Sequence, residues 1–350
     1  MNFELTNFCE IDKHAAESYC RIHQESIDKN LGDTMTISAN DIKDCNVIVG
    51  GSPCFTKDVL ILTEEGYKKL EDIKVGDMVL SHDGKYHKVT NILNQGEKQI
   101  FKIHSAFFTD IETTDNHRFF ASIEGGIPRW VEAKDLKCSD YLGCYIGDDE
   151  HNIAANDGEL FVYGLYLRFG HSFTKSSITI KVPVEHMKYM NKTLHKYKVS
   201  SSLGLNNIDP KHAYFTIYFG KYDFDECLMK LSAEQCGVVW SGFAELLDDK
   251  CRQITTTDLS TAYDMAYLYM KCHKKACVIK KVKDGYMLDW GAKISNWYVE
   301  NNYIWLPFNV EKTHIKKPVF DLTVDEAHSF VVQHCAAHNC SQKGSGFDAI

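Results

Sequence analysis

From residue 54 onward, short apolar stretches alternate with polar ones. In "CFTKDVLILTEEGYKKLEDIKVGDMVLSHDGKYHKVTNIL" the period is close to two, and Glu65-Gly66 and Asp83-Gly84 interrupt it as turn signals. This predicts β-strands joined by tight turns, the second turn suiting a hairpin. The same texture runs through "QIFKIHSAFFTDIETTDNHRFFAS" to "KDLKCSDYLGCYIG" and returns in "YIWLPFNVEKTHIKKPVFDLTVDEAHSFVVQHC". Between about 150 and 300 the pattern changes. "SITIKV" and "AYFTIYFG" alternate as strands do, whereas "PVEHMKYMNKTLHKYKV" and "DLSTAYDMAYLYMKC" space their apolar residues for helices. Leu259, Ala262, Tyr263, Ala266 and Met270 fall on one face of the last of these, and Asp258 can cap its start. An α/β module therefore interrupts a β module, whose two parts are expected to pair across the insertion. Residues 1 to 53 end differently, in the strand-like "NVIVGG" and a Ser-Pro turn.

Composition adds bounds. The 350 residues are 44% hydrophobic and 25% charged, enough for two or three domains of ordinary globular character. A net charge of −9 gives no overall basic field, so any DNA contact needs a local patch. Thirteen cysteines in no regular framework, with no charged-then-apolar leader, predict a cytoplasmic protein with free thiols. No apolar run reaches the roughly 18 to 20 residues of a membrane span.

Candidate chemistry gathers where the texture changes. Cys54 opens the β segment and Cys340 follows its end, preceded by His338-Asn339. A cysteine thiol can attack its own upstream carbonyl to give a thioester, and an asparagine can cyclise on its own carbonyl and cut the chain. Both reactions are slow in a free peptide, so a fold must supply a proton donor at the leaving nitrogen, a charge stabiliser at the oxygen, and fixed geometry. Thr114 and His117 in "TTDNHRFF" suit the first junction, with His117 as donor to the Cys54 nitrogen. His338 can polarise the Asn339 carbonyl, and Asp321 and His328 in "VFDLTVDEAHSF" precede the second junction. A rival reading takes His334, Cys335, His338 and Cys340 as a zinc site, although a structural site wants two ligand pairs at set spacing and the other cluster, "KCHKKAC", lies in the middle module.

In their order along the chain, Cys54 with its following block, Thr114 to His117, "VFDLTVDEAHSFVV" and His338-Asn339-Cys340 resemble the splicing blocks of an intein. The resemblance implies a mostly β Hint horseshoe over 54–148 and 302–339, split by the module at 149–301, with host segments at 1–53 and 340–350. It implies four steps: Cys54 takes the acyl group of Pro53, Cys340 attacks that thioester, Asn339 cyclises, and a sulfur-to-nitrogen shift joins Pro53 to Cys340. Asp321 would coordinate the second step with the third. Splicing itself needs no cofactor, and zinc held by Cys340 would block it. The substrate is the chain's own flanks, in a monomer.

The flanks resemble a DNA cytosine-5 methyltransferase. "FCEIDKHAAESY" is similar to the motif whose acidic residue, here Glu10, meets the ribose of S-adenosylmethionine, and "VIVGGSPC" to the loop bearing the nucleophilic cysteine. Splicing would then make Cys340 that cysteine, in a host fragment that does not methylate DNA by itself. The middle module resembles a LAGLIDADG homing endonuclease, with "FVYGLYLRFGHS" and "VVWSGFAELLDDK" as its helical signatures. The expected acidic metal ligands are replaced by Phe169 and Leu247; Glu245, Asp248 and Asp249 are near in sequence but not in phase. This implies an inactive nuclease with at most residual DNA binding, through Lys274, Lys275, Lys280 and Lys281. Two other classes stay open: a DNA-binding or methylating protein with a structural insertion, and a hedgehog-like processing domain, against which Asn339-Cys340 argues. Pro53 restricts the approach to its own carbonyl, which predicts slow splicing.

Overall fold

The computed structural model describes residues 4–10, 13–32, 37–43, 54–147, 155–174, 177–205, 208–218, 230–247, 252–294 and 296–339. The expected strand "NVIVGG", Pro53, Asp248, Asp249 and Cys340 lie outside them.

The architecture is mostly β. One 14-stranded sheet takes strands from both sides of the middle module. Its spine is the antiparallel pair Tyr86–His104 and Asn309–Val324, which runs from Asn309 opposite His104 to Val324 opposite Val89. The register slips at three places along this pair, and each irregularity bends and twists the ribbon, so the sheet curls on itself instead of extending flat. Tyr303 to Pro307 pair with Tyr145 to Tyr141, the last strand before the insertion, so the two β segments close directly on each other. Alternation explains much of the long strand Tyr86–His104: His87 and Val89, then Phe101 and Ile103, are buried two apart, while Ile100 turns to the opposite face, against Cys54 and Val319. The hairpin signal at Asp83-Gly84 forms as expected, with Leu80 opposite Tyr86 and Gly84 at φ 81°. The earlier turn falls one residue before its signal: Thr63 pairs with Gly66, so Glu64 and Glu65 make the turn.

Both predicted helices of the middle module are present, as Met187–Lys196 and Leu259–His273. Asp258 caps the second by accepting a hydrogen bond of 2.7 Å from the Thr261 N–H. Helices Asp157–Phe169 and Ala233–Ala244 each begin with a capping box, Asn156 with Glu159 and Ser232 with Gln235. They cross where two glycines meet. A Cβ on Gly164 would sit 2.0 Å from the Val239 carbonyl oxygen, and one on Gly242 2.0 Å from that of Phe161, so only glycine permits this approach. A four-stranded and a three-stranded antiparallel sheet flank the helices. Tyr263, Ala266 and Met270 of the helix Leu259–His273 share one apolar cluster with Phe55, Phe119 and Phe330 of the β domain. The insertion is therefore packed into the core of the β domain rather than hung from its edge. No described helix is long and apolar enough to cross a membrane.

Candidate functional site

The strand register gathers the candidate residues. Phe55 pairs with Phe320 on one side and Thr113 on the other, so one step back Cys54 lies between Asp321 and Thr114. Ala337 pairs with Phe119 and Ser329 with His338; continuing both registers sets Asn339 between His117 and His328. Residues as far apart in sequence as Cys54 and Asp321, or His117 and Asn339, thus become neighbours because antiparallel strands fix their partners.

The Cys54 backbone is clamped on both sides. Its N–H donates to Thr114 Oγ1 at 2.9 Å, while its carbonyl accepts from the Thr114 N–H at 2.9 Å and from Thr113 Oγ1 at 3.0 Å. The Thr114 hydroxyl donates to Asn116 Oδ1 at 2.9 Å, which leaves its lone pairs facing the Cys54 nitrogen. That nitrogen is the leaving group of an attack on the preceding carbonyl. Cys54 itself is fully buried.

His117 is also fully buried, packed on Phe55 with ring centroids 3.9 Å apart and flanked by Phe119 and Phe330. Burial pushes its imidazole down to about 3, with the nearby His338 adding to the shift and the His338 backbone opposing it. That backbone is close but not in hydrogen-bonding geometry: neither ring nitrogen has a partner among the described residues. His117 is therefore a neutral imidazole whose N–H is free to donate.

Three hydrogen bonds hold Asn339, which is 1% exposed. Its N–H donates to the His328 carbonyl at 2.9 Å and its Nδ2 to the Val324 carbonyl at 3.0 Å. Its own carbonyl oxygen lies 2.7 Å from His338 Nδ1, which can only be a donor there. This is the oxygen that gains negative charge when the Asn339 side chain attacks. His338 is held below the ordinary imidazole range chiefly by burial; the bond to Asn339 opposes this, and Arg118, His328 and His82 reinforce it. Its ring meets Trp130 edge-on at 5.1 Å. His328 stands at φ 50°, with Nδ1 buried and without a partner among the described residues.

Of the residues in the zinc reading, Cys340 lies outside the described residues; among those described, no three His, Cys, Asp or Glu side chains gather as metal ligands. His334 Nδ1 shares a hydrogen bond of 2.7 Å with Tyr67 Oη, and burial raises the Cys335 thiol, so both residues are committed to the interior. The sequence reading missed Thr113 and Asn116, whose signal was their place in the same "TTDNH" loop.

The intein splicing domain family matches residues 59–339. The chain belongs to that family. The C-5 cytosine-specific DNA methylase family matches residues 1–56. Among curated relatives, the orphan methyltransferase M.Rho11sI of Bacillus phage rho11s is 39% identical over 69 residues, covering 20% of this chain and 13% of that protein. Warthog protein 6 of Caenorhabditis elegans is 36% identical over 100 residues, covering 26% of this chain and 17% of its own length. The chain thus spans a small part of each. Among solved structures, the Ssp DnaB mini-intein variant M86 aligns over 85% of this chain and 100% of its own at 11% identity, with a TM-score of 0.36. The intein splicing domain is thus preceded by a methyltransferase-like segment.

Proposed function

We propose that splicing proceeds through the residues gathered at the two junctions. The Cys54 thiol attacks the Pro53 carbonyl and passes its proton to the free nitrogen of the neutral His117 ring; the carbon–nitrogen bond to Cys54 breaks, and the leaving nitrogen takes up the proton from the other ring nitrogen of His117, which ends neutral again, while Thr114 holds it in place. Cys340 then attacks the thioester and releases the Cys54 thiol. Asn339 Nδ2 attacks its own carbonyl carbon, with His338 Nδ1–H stabilising the oxyanion; the bond to Cys340 breaks and a succinimide remains. A sulfur-to-nitrogen shift joins Pro53 to Cys340. Asp321, in register with Cys54, and His328, in register with Asn339, are assigned to coordinating these steps. The observation that carries the proposal is the hydrogen bond from His338 to the Asn339 carbonyl, because it marks one oxygen in the chain as the site of developing charge.

The test is intact mass spectrometry of the full chain after incubation with a reductant and a chelator, beside Cys54→Ala and Asn339→Ala variants. A released piece from Cys54 to the Asn339 succinimide, with Pro53 joined to Cys340, is expected; a chain of unchanged mass overturns the assignment. The chelator arm also separates inhibitory zinc on Cys340 from an inactive site.

For the host, the match at residues 1–56 favours restoration of a DNA cytosine-5 methyltransferase loop with Cys340 as its nucleophile. Phe8 forms an isolated parallel bridge with Asn30, and the Glu10 N–H donates to Asn30 Oδ1 at 2.9 Å, which fixes the backbone of the acidic residue proposed to meet the ribose of S-adenosylmethionine. The complete host would supply the rest of that site. For the middle domain, the glycine-lined helix crossing supports a LAGLIDADG ancestry and the helix ends argue against cleavage. Arg168 stacks over Phe169 at 4.6 Å and donates to the carbonyls of Phe243, at 3.3 Å, and Glu245, at 2.6 Å. A guanidinium thus occupies the space between the helix ends that two-metal cleavage needs for cations. The helix ends at Ala244, before Leu247, and the Glu245 carboxylate accepts from the Tyr189 hydroxyl. Of the lysines assigned to DNA, Lys274 donates to the Ile146 carbonyl at 2.6 Å and is held by the β domain, whereas Lys275, Lys280 and Lys281 are exposed.

A further inference from the structure

The strand that delivers His338 and Asn339 leaves a two-residue hairpin turn. Val332 pairs with Cys335, and Gln333 and His334 between them stand at φ 45° and 75°. Two successive positive φ values define a type I′ turn, which ordinarily takes Asn-Gly because side chains clash there. Nothing in Gln-His favours that conformation, so something else must hold it.

The holding groups come from the β domain and the inserted helix together. Gln333 Nε2 donates to the Thr109 carbonyl at 2.6 Å and lies 3.2 Å from Tyr263 Oη, which in turn accepts from the Thr109 N–H at 2.8 Å. The His334 ring packs on Tyr263 with centroids 4.6 Å apart and hydrogen-bonds Tyr67. Tyr67 is fixed by the next residue of the same helix: its N–H donates to Asp264 Oδ1 at 2.8 Å. Gly66 admits that carboxylate, since a Cβ there would meet Asp264 Oδ1 at 3.0 Å. Gln333 N–H closes the circuit on the Leu60 carbonyl at 2.9 Å.

We infer that Tyr263 and Asp264 of the inserted domain are positioning residues for the C-terminal cleavage, acting through the Gln333–His334 turn on the placement of Asn339. The inference rests on the assignment of Asn339 as the C-terminal nucleophile. The N-terminal junction is anchored chiefly through Thr113, Thr114 and the strand Asn309–Val324, and meets this turn at Thr109, four residues before Thr113. The inserted domain is therefore expected to act more on the C-terminal half of the reaction than on the N-terminal half.

Two full-length reporters separate the halves. An Asn339→Ala chain reports thioester formation as dithiothreitol-induced cleavage before Cys54, and a Cys54→Ala chain reports release of residues 340–350. Tyr263→Phe leaves the Thr109 N–H without its acceptor and so loosens Thr109, whose carbonyl and hydroxyl hold the Gln333 amide at 2.6 and 2.8 Å; it is expected to slow release about tenfold and to leave dithiothreitol cleavage within twofold. Replacing the turn by Gln333→Asn with His334→Gly supplies a sequence that adopts the I′ geometry unaided, and in that background Tyr263→Phe is expected to have no effect on release. Equal slowing in both reporters, no slowing in either, or slowing that persists after the turn is replaced would overturn the inference. Release that continues when Asn339→Ala is added to the Cys54→Ala chain would instead refute the role of Asn339, and is read before Tyr263 is changed.

Discussion

Replacing His338 by alanine isolates the contribution of one hydrogen bond to one step. The bond from Nδ1 to the Asn339 carbonyl is 2.7 Å long in a site closed by Trp130. As a ground-state interaction it is worth about 1 kcal/mol, or roughly fivefold. As a preorganised donor to an oxygen that becomes charged, its removal costs about 2.7 to 4 kcal/mol, or on the order of a hundred- to a thousandfold. The proposed role demands the larger figure. In a Cys54→Ala background, where only Asn339 cyclisation occurs, the rate of release of residues 340–350 is followed by mass spectrometry. Loss of the edge-on contact with Trp130 also destabilises the fold, by about 0.5 to 1.5 kcal/mol, so a urea titration accompanies the assay. A slowing below tenfold in a folded variant would refute the oxyanion role. The pH profile adds a second check: because burial keeps His338 neutral, release is expected to stay flat from pH 7 to 9, and a fall through an apparent pKa near 7 would mean that a charged imidazole is required.

Thr114→Ala removes the acceptor of the Cys54 N–H and is expected to slow dithiothreitol cleavage at least tenfold without changing release of residues 340–350; equal effects on both would show a general packing defect. Stability should depend on pH with an optimum near 6.5. Burial holds His117 and His334 down to about 3, so below their ordinary 6.5 the unfolded chain binds two protons that the fold refuses. Burial raises Asp264 from 3.8 to about 8, its carboxyl end enclosed although the residue as a whole is half-buried, so between those values the folded chain keeps one proton that the unfolded chain gives up. These three groups contribute a slope of about one proton, roughly +1 kcal/mol per pH unit, from pH 4 to 6.5 and about −1 from 6.5 to 8, and the lowered His82, His273 and His338 steepen the rise below 6.5; urea unfolding measures both limbs. Asp264→Asn should abolish the alkaline decline, and a decline that remains would refute that assignment. Gly242→Ala should destabilise the inserted domain by on the order of 3 kcal/mol, because its Cβ meets the Phe161 carbonyl; a near-normal melting curve would mean that the helices can separate freely.

Much of the site could be read from the chain because its chemistry demands residue types at junctions. Cys54, Asn339 and His338 are reacting groups or their immediate neighbours in sequence. Thr114 and His117 share one loop, so their proximity was a local fact. The Gln333–His334 turn was not legible, because its residues carry none of the usual turn chemistry and its support comes from Tyr263, 70 residues away. The partner of Lys274 was hidden for a related reason: the residue is exposed, as its charge suggests, while its amine donates to a backbone carbonyl 128 residues distant. The close crossing at Gly164 and Gly242 is likewise invisible to periodicity, which records which face is apolar but not how near two backbones come.

Excision leaves the full burial of Cys54 with a chemical consequence. The backbone nitrogen that now rests on Thr114 Oγ1 as an amide becomes the α-amine of the released protein. An ammonium group is strongly disfavoured at a fully buried position, so the new terminus must either remain a neutral amine or withdraw the strand that begins at Phe55. Withdrawal would dismantle the pairing with Phe320 and Thr113 that held the thiol at its target. The released protein is then a different acid–base species from its precursor, and reassembly of the junction is opposed by the terminus that cutting creates.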